Sequence, residues 1–436
     1  GLEGAHAEES GGSAHRLRCE TLGDRLKVAT SGRARVCSIG IKRRAAVLLG
    51  GKRGDLALWW DMRSGRFVTS RAYAERLPDY VEQMNRNRVA DRFFGSSWKR
   101  ALPIHAYDAC APDDDPAETD LAGLGRTFPH PMTGGRTRPG PAYYNAVQTS
   151  PFGNELLLDL VEQLLTRERI GRGDVCDLLC IGLSSNDFVG HVFGAESHEV
   201  LDMTVQTDRQ LARLLEFLDA RLGRGRYVVA LTSDHGVGPA SVRRLRRSDP
   251  AGTFSERDLK QYLNQAVRDA LGKRESGFQP VAFVGAPWVH LDRPAIARAG
   301  RNLDDVKRIC VDACRRLDWV ERVFVNDELA GDVAIGADEA LRLAWAAYHP
   351  DPAGELYFMH RRFWHKDDKT AQHGTPFDYD RRVPLILYGP GIRQGRFDAP
   401  ADPIDVAKTL AVLIGIEPAA TMSGRVLTEA LSFSSP

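Results

Sequence analysis

The sequence predicts an α/β fold with a mostly parallel central sheet, helices on both faces, and a small α/β subdomain inserted into it. Three observations predict it. Short uninterrupted apolar blocks recur along the 436 residues, as strands buried on both faces require. Amphipathic helical patterns alternate with them, as crossovers between parallel strands do. Two long stretches, 51–150 and 240–370, break that alternation and read as insertions. With 43% hydrophobic and 27% charged residues, the chain can bury a large core, and its composition argues against disorder.

Taken in order, residues 34–41, 175–183, 227–232 and 383–387 read as the core strands. A helix over 154–165 follows Ser150 and Pro151, which have the character of an N-cap and a first helical position. Leu211, Leu214, Leu215 and Leu218, spaced at three and four, mark another helix. Inside the first insertion, residues 56–61 and 66–70 form a hairpin joined at Arg63, Ser64 and Gly65, followed by a Pro/Gly/Asp-rich segment. Inside the second, strands are expected at 287–291, 320–325 and 355–360, and helices at 303–317 and 338–347.

Lys and Arg number 59 against 58 Asp and Glu, a formal charge of +1. Such balance gives no general attraction to nucleic acid or an anionic membrane, so a basic site for an anion must be local. No run approaches the ~18 apolar residues of a membrane span, and the chain reads as soluble. Residues 1–15 lack the basic-then-apolar pattern of a signal peptide, so an export signal is expected upstream of them. The seven cysteines include no Cys-x-x-Cys pair, which indicates neither a disulfide framework nor a cysteine zinc site. Cys176 and Cys180, roughly 13 Å apart on a strand rising ~3.3 Å per residue, cannot bridge. Both are expected to be buried free thiols.

Three short motifs carry metal chemistry, each at the carboxyl end of a predicted core strand or shortly before one, where open α/β sheets build their sites. Asp187 and His191 share a face if the chain turns helical there, and can then grip one ion. An Asp N-cap beside an unrelated surface His would give the same spacing. Asp234, His235 and Gly236 end the strand 227–232; adjacent Asp and His serve one ion only where the backbone turns, which Gly236 permits. A simple turn would also fit. His373 and Gly374 precede the strand 383–387, where a solvated loop His is the plain alternative.

Together, in this chain order, these elements resemble the alkaline phosphatase superfamily, with its Asp-x-x-x-His, Asp-His-Gly and final His-Gly. The resemblance implies an alkaline phosphatase-like fold, with Asp187, His191 and His373 on one zinc ion and Asp234 and His235 on a second. Lys42 and Arg44, after strand 34–41, resemble the substrate clamp of phosphate-irrepressible, threonine-nucleophile bacterial alkaline phosphatases. A Lys point charge and an Arg fork suit the extra charge of a phosphate monoester. Similarity to that branch extends through Trp59-Trp60-Asp61, Ser64-Gly65-Arg66-Phe67, Ser150-Pro151-Phe152-Gly153-Asn154 and the helix of Asp405 to Leu410.

What the resemblance implies is metal-dependent hydrolysis of a small-molecule phosphate monoester through a phosphoenzyme, with a periplasmic or secreted location. The family's opening strand, its first metal-binding Asp and its Thr or Ser nucleophile have no counterpart here, so the chain as it stands is expected to be nearly inactive. Nucleotide pyrophosphatases and phosphodiesterases, and cofactor-independent phosphoglycerate mutases, carry similar metal motifs. A metal-binding pseudoenzyme is the alternative from another class.

Overall fold

The computed structural model describes residues 11–246, 249–272, 277–331, 338–366 and 370–432. They divide into two compact units, Gly1–Asp234 with Val383–Pro436, and His235–Arg382. Of the segment 1–15 considered above, residues 1–10 lie outside the described residues.

The first unit is built on strands β1 (Val36–Gly40), β2 (Leu56–Asp61), β3 (Arg66–Val68) and β4 (Leu178–Gly182), in the order β3-β2-β1-β4. β1 runs parallel to both β2 and β4, and β3 closes the edge antiparallel to β2. Every residue of β1 and β2 is buried, which is why their sequences run apolar without alternation. The β2–β3 hairpin is the expected one. Its turn is set by Asp61, whose carboxylate accepts the Arg63 N–H at 3.0 Å and the Ser64 hydroxyl at 2.5 Å. Gly65, at φ +67°, lies where a Cβ would meet the Tyr144 ring at 2.2 Å, so no other residue fits.

Helices α1 (Arg43–Gly50), α2 (Pro151–Arg167), α3 (Ser185–Phe193) and α4 (His198–Leu222) accompany this sheet. Pro151 opens α2 as expected, but Ser150 donates its hydroxyl to the Val147 carbonyl at 2.8 Å instead of capping the helix. Leucines 156, 157, 158, 160, 164 and 165 of α2 are all buried. That is wider than a single stripe, as expected of a helix enclosed by its neighbours. The first turns of α4 anchor the Pro/Gly/Asp-rich segment through buried polar groups. Asp202 accepts from the Trp98 indole at 2.7 Å and the Tyr107 hydroxyl at 2.6 Å, and Glu199 meets His130 Nε2 at 3.0 Å. Strand β5 (Val229–Thr232) ends this part of the unit.

The second unit has its own four-stranded antiparallel sheet and core. A short strand, β6 (Gly252–Phe254), comes first, followed by β7 (Val281–Gly285), β8 (Trp288–Leu291), β9 (Val320–Val325) and β10 (Leu356–His360). The last four lie in the order β9-β10-β8-β7. β6 pairs in parallel with β11 (Trp364–Lys366). Helices α5 (Glu256–Ala270) and α6 (Leu303–Cys314) contribute Leu259, Leu263, Val267, Val306 and Cys310 to a core shared with Val281, Val289 and Leu356. β6, β7, β11 and α5 had not been anticipated from the apolar pattern.

Strand β12 (Leu385–Tyr388) then returns to the first unit and pairs antiparallel with β5, Leu385 opposite Thr232. The four-stranded sheet is therefore mixed, with β3 reversed, and β5 and β12 form an antiparallel pair of their own. The final helix, α7 (Asp405–Leu413), precedes Gly415 at φ +73°. Among the described residues no helix is long and apolar enough to cross a membrane. All seven cysteines are free, but Cys176 is exposed and Cys180 only half-buried, contrary to expectation. Cys176 lies before β4, which begins at Leu178, and Cys180 lies within β4, every residue of which is only half-buried.

His360, at the end of β10, is 7% exposed and packs its ring on Phe254 at 5.3 Å. Burial, aided by nearby His365 and opposed by a hydrogen bond to the Arg361 backbone, pushes its pKa from 6.5 down to about 4. The unfolded chain therefore binds the extra proton first. Stability present above about pH 6.5 should be lost progressively as the pH falls toward 4, by up to roughly 3 kcal/mol. Urea unfolding across this range should show a shallower pH slope for His360→Gln than for the wild type.

Candidate metal centre

The first group of predicted residues meets where β1 and β4 end. The two strands pair in register, Gly40 opposite Gly182, so the turns that follow them start side by side. The Ile41 N–H bonds the Gly182 carbonyl at 3.3 Å, and the Lys42 N–H bonds the Ser184 hydroxyl at 3.3 Å. Lys42 sits at the N-cap of α1, and its ammonium forms an ion pair with Asp187. The same ammonium stands 5.1 Å over the Phe188 ring, a further favourable contact for a cation.

The condition set by the sequence for Asp187 and His191 is met: both lie on α3, one turn apart, with Asp187 Oδ2 3.5 Å from His191 Nε2. Asp187, in the first turn, also matches the helix dipole. α3 is held in place by a relay of amides. Asn154 Nδ2 donates to Asn186 Oδ1 at 2.9 Å, and Asn186 Nδ2 donates to Thr207 Oγ1 at 3.1 Å. This joins α2, α3 and α4. A Cβ on Gly153 would stand 2.3 Å from the Ser185 hydroxyl and 2.9 Å from the Val147 carbonyl, so the glycine lets α2 approach the head of α3. Arg44, in the first turn of α1, is exposed and has no hydrogen-bonding or ionic partner among the described residues.

Asp234, exposed, ends the first segment of this unit, two residues past the end of β5. In the second unit, His235 and His373 lie face to face, ring centroids 3.5 Å apart and planes 12° from parallel. The His235 Nδ1 stands 2.8 Å from the Gly236 carbonyl, which can only accept. Nδ1 therefore carries a proton, which leaves Nε2 as the atom through which this ring would bind a metal. The Gly236 N–H donates to the Asp380 carbonyl at 2.6 Å, and the Gly238 N–H to the Gln372 carbonyl at 3.0 Å. Gly236 is needed for space, since a Cβ there would lie 2.1 Å from the Tyr379 carbonyl, and its own φ is not positive. The positive φ belongs to Gly374, at +93°.

Asp380 was not anticipated. It is buried in the short helix Asp378–Arg381 and accepts the Thr375 N–H at 2.7 Å. Burial pushes its carboxyl up, while the bonds from Thr375 and the charges of His373 and His235 oppose the shift. Its only signal in the sequence was proximity to His373. Asn186 and Thr207 were missed too, since amides and hydroxyls carry no periodic signature.

Residues 59–352 match the family model of type I phosphodiesterase / nucleotide pyrophosphatase. The chain belongs to this family. Within the type I phosphodiesterase / nucleotide pyrophosphatase family, it is 29% identical over 421 residues to alkaline phosphatase PafA of Elizabethkingia meningoseptica, across 96% of this chain and 76% of that protein. It is 28% identical over 430 residues to alkaline phosphatase PhoV of Synechococcus elongatus, across 98% of this chain and 76% of that one. The crystal structure of wild-type alkaline phosphatase PafA superposes with a TM-score of 0.85 at 28% identity, covering 95% of this chain and 78% of that chain. The α/β fold with its mixed sheet is the fold of that structure.

Gly236→Ala should push the Tyr379 carbonyl away and break the Gly236–Asp380 bond. The expected loss is about 1–3 kcal/mol in urea unfolding. Gly173→Ala, where a Cβ would meet only the Val175 nitrogen at 3.9 Å, should stay within about 0.5 kcal/mol of the wild type.

Proposed function

We propose that this protein hydrolyses small-molecule phosphate monoesters at a centre of two divalent cations, zinc in our assignment, through a phosphoenzyme. The observation that carries the proposal is the Lys42–Asp187 ion pair. A cation suited to phosphate and a carboxylate suited to a metal come together at the ends of two adjacent parallel strands. We assign Asp187, His191 and His373 to one ion, and Asp234 and His235 to the other.

The donors fit such ions. Carboxylate oxygens and neutral imidazole nitrogens are good zinc ligands, and two ligands of one tetrahedral zinc ion stand ~3.4 Å apart when each bond is ~2.0–2.1 Å. The 3.5 Å between Asp187 Oδ2 and His191 Nε2 agrees with this. When bound, such ions supply Lewis-acid activation of oxygen nucleophiles and leaving groups. The chain's own part is to hold the donors and to place positive charge for the non-bridging oxygens. Lys42 offers a point charge, and Arg44 a planar fork free to turn toward an incoming phosphate. The similarity to named alkaline phosphatases supports monoesters over the diesters of other branches. Those bacterial relatives also support a periplasmic or secreted location. Residues 240–370 are read as an insertion, supported by the separate sheet and core of His235–Arg382, and residues 51–150 as another apart from their hairpin, whose β2 pairs in parallel with β1 inside the main sheet.

In the full-length protein, a chelator should abolish hydrolysis of an aryl phosphate monoester and zinc should restore it. Arg44→Ala should lower kcat/KM for the monoester by about 100-fold, the scale of a lost charge-stabilising contact, and for the matching diester far less. Equal losses, or faster diester turnover in the wild type, would place the protein among the phosphodiesterases.

A further inference from the structure

We propose that Asp380 is a positioning residue that presets His235 and His373 as ligands, a role that rests on the metal-centre assignment above. Its carboxylate accepts the N–H of Thr375, two residues past His373, and its carbonyl accepts the N–H of Gly236, the residue after His235. One residue thus binds the backbone beside both imidazoles. The second link, from Gly238 to Gln372, prevents either segment from pivoting about the first. The parallel stacking of the two rings follows from this lacing, because each ring hangs from a backbone segment fixed to the other.

The other carboxylate oxygen points to more than a turn-forming role. Asp380 is 4% exposed, and its Oδ1 is buried without a hydrogen-bond partner among the described residues. An ionised oxygen so placed is costly unless positive charge lies near it. His373 and His235 are both within electrostatic reach of this carboxyl, so the ions they would hold are the positive charge that offsets it, and the carboxylate in turn makes the imidazoles more basic as ligands. Asp380 therefore acts on the ions through the histidines and touches neither substrate nor metal.

The test uses the full-length protein, stripped of metal and titrated with zinc against a competing chromophoric chelator. Parallel samples are loaded with cobalt for visible spectra and unfolded by heat without metal. Asp380→Asn keeps an acceptor for the Thr375 N–H but loses the charge; Asp380→Ala loses both. Asp380→Asn should bind zinc about 10-fold or more weakly, on the scale of lost partners behind a ligand, with shifted cobalt bands and an unchanged metal-free Tm. Asp380→Ala should be weaker still; if it fails to fold, Asp380→Asn decides. Wild-type zinc affinity and cobalt bands in Asp380→Asn would overturn the positioning role while leaving the metal centre standing. A wild-type protein that takes up no ion would overturn both.

Discussion

The parallel pairing of β1 with β4 is the constraint on which the first half of the site depends. Residues 36–40 and 178–182 align one for one, from Val36 opposite Leu178 to Gly40 opposite Gly182. Because register in a buried sheet is set by which face each side chain meets, a slip of one residue would turn every side chain over. The alignment is therefore well defined. It delivers Lys42 and Asp187, 145 positions apart in sequence, to the same point without a dedicated linker. The buried β2 on the other side of β1, and the helices packed around them, keep the pair from shifting.

Polar contacts then refine what the strands place. The Asn154–Asn186–Thr207 relay fixes α3 between two longer helices, so Asp187 and His191 project from a helix that cannot roll. In the second unit, where no long helix carries the histidines, backbone bonds at Gly236 and Gly238 take over. Both arrangements need a glycine at the closest approach, Gly153 in one and Gly236 in the other, because any Cβ would displace a neighbouring backbone group.

The segment between the hairpin and α2 shows how a largely irregular chain is held when its own sheet is only the short antiparallel pair of Ser97–Trp98 and His130–Pro131. Trp98, Tyr107 and His130 bury their rings and give their polar atoms to Asp202 and Glu199. All five are at or near zero exposure. Buried donors and acceptors met in this way confer a single geometry, since any other leaves a carboxylate unpaired in the core.

The sequence by itself determined what local pattern can encode. The core strands, the β2–β3 hairpin and the helix around Leu211 to Leu218 follow from apolar periodicity and turn residues, and the structure has them with boundaries shifted by a few residues. The helical placement of Asp187 and His191 was legible as a condition, because spacing of four matters only on a helix. Only the tertiary structure decided the antiparallel direction of β12, the short strands β6 and β11, the ion pair of Lys42 with Asp187, and the exposure of Arg44. It alone showed Asp380 bonded to the backbone near His235 and His373, and the space that Gly236 leaves for Tyr379. Each of these depends on contacts between residues far apart in sequence, or on space left by a neighbour, and periodicity along one segment carries no information about either.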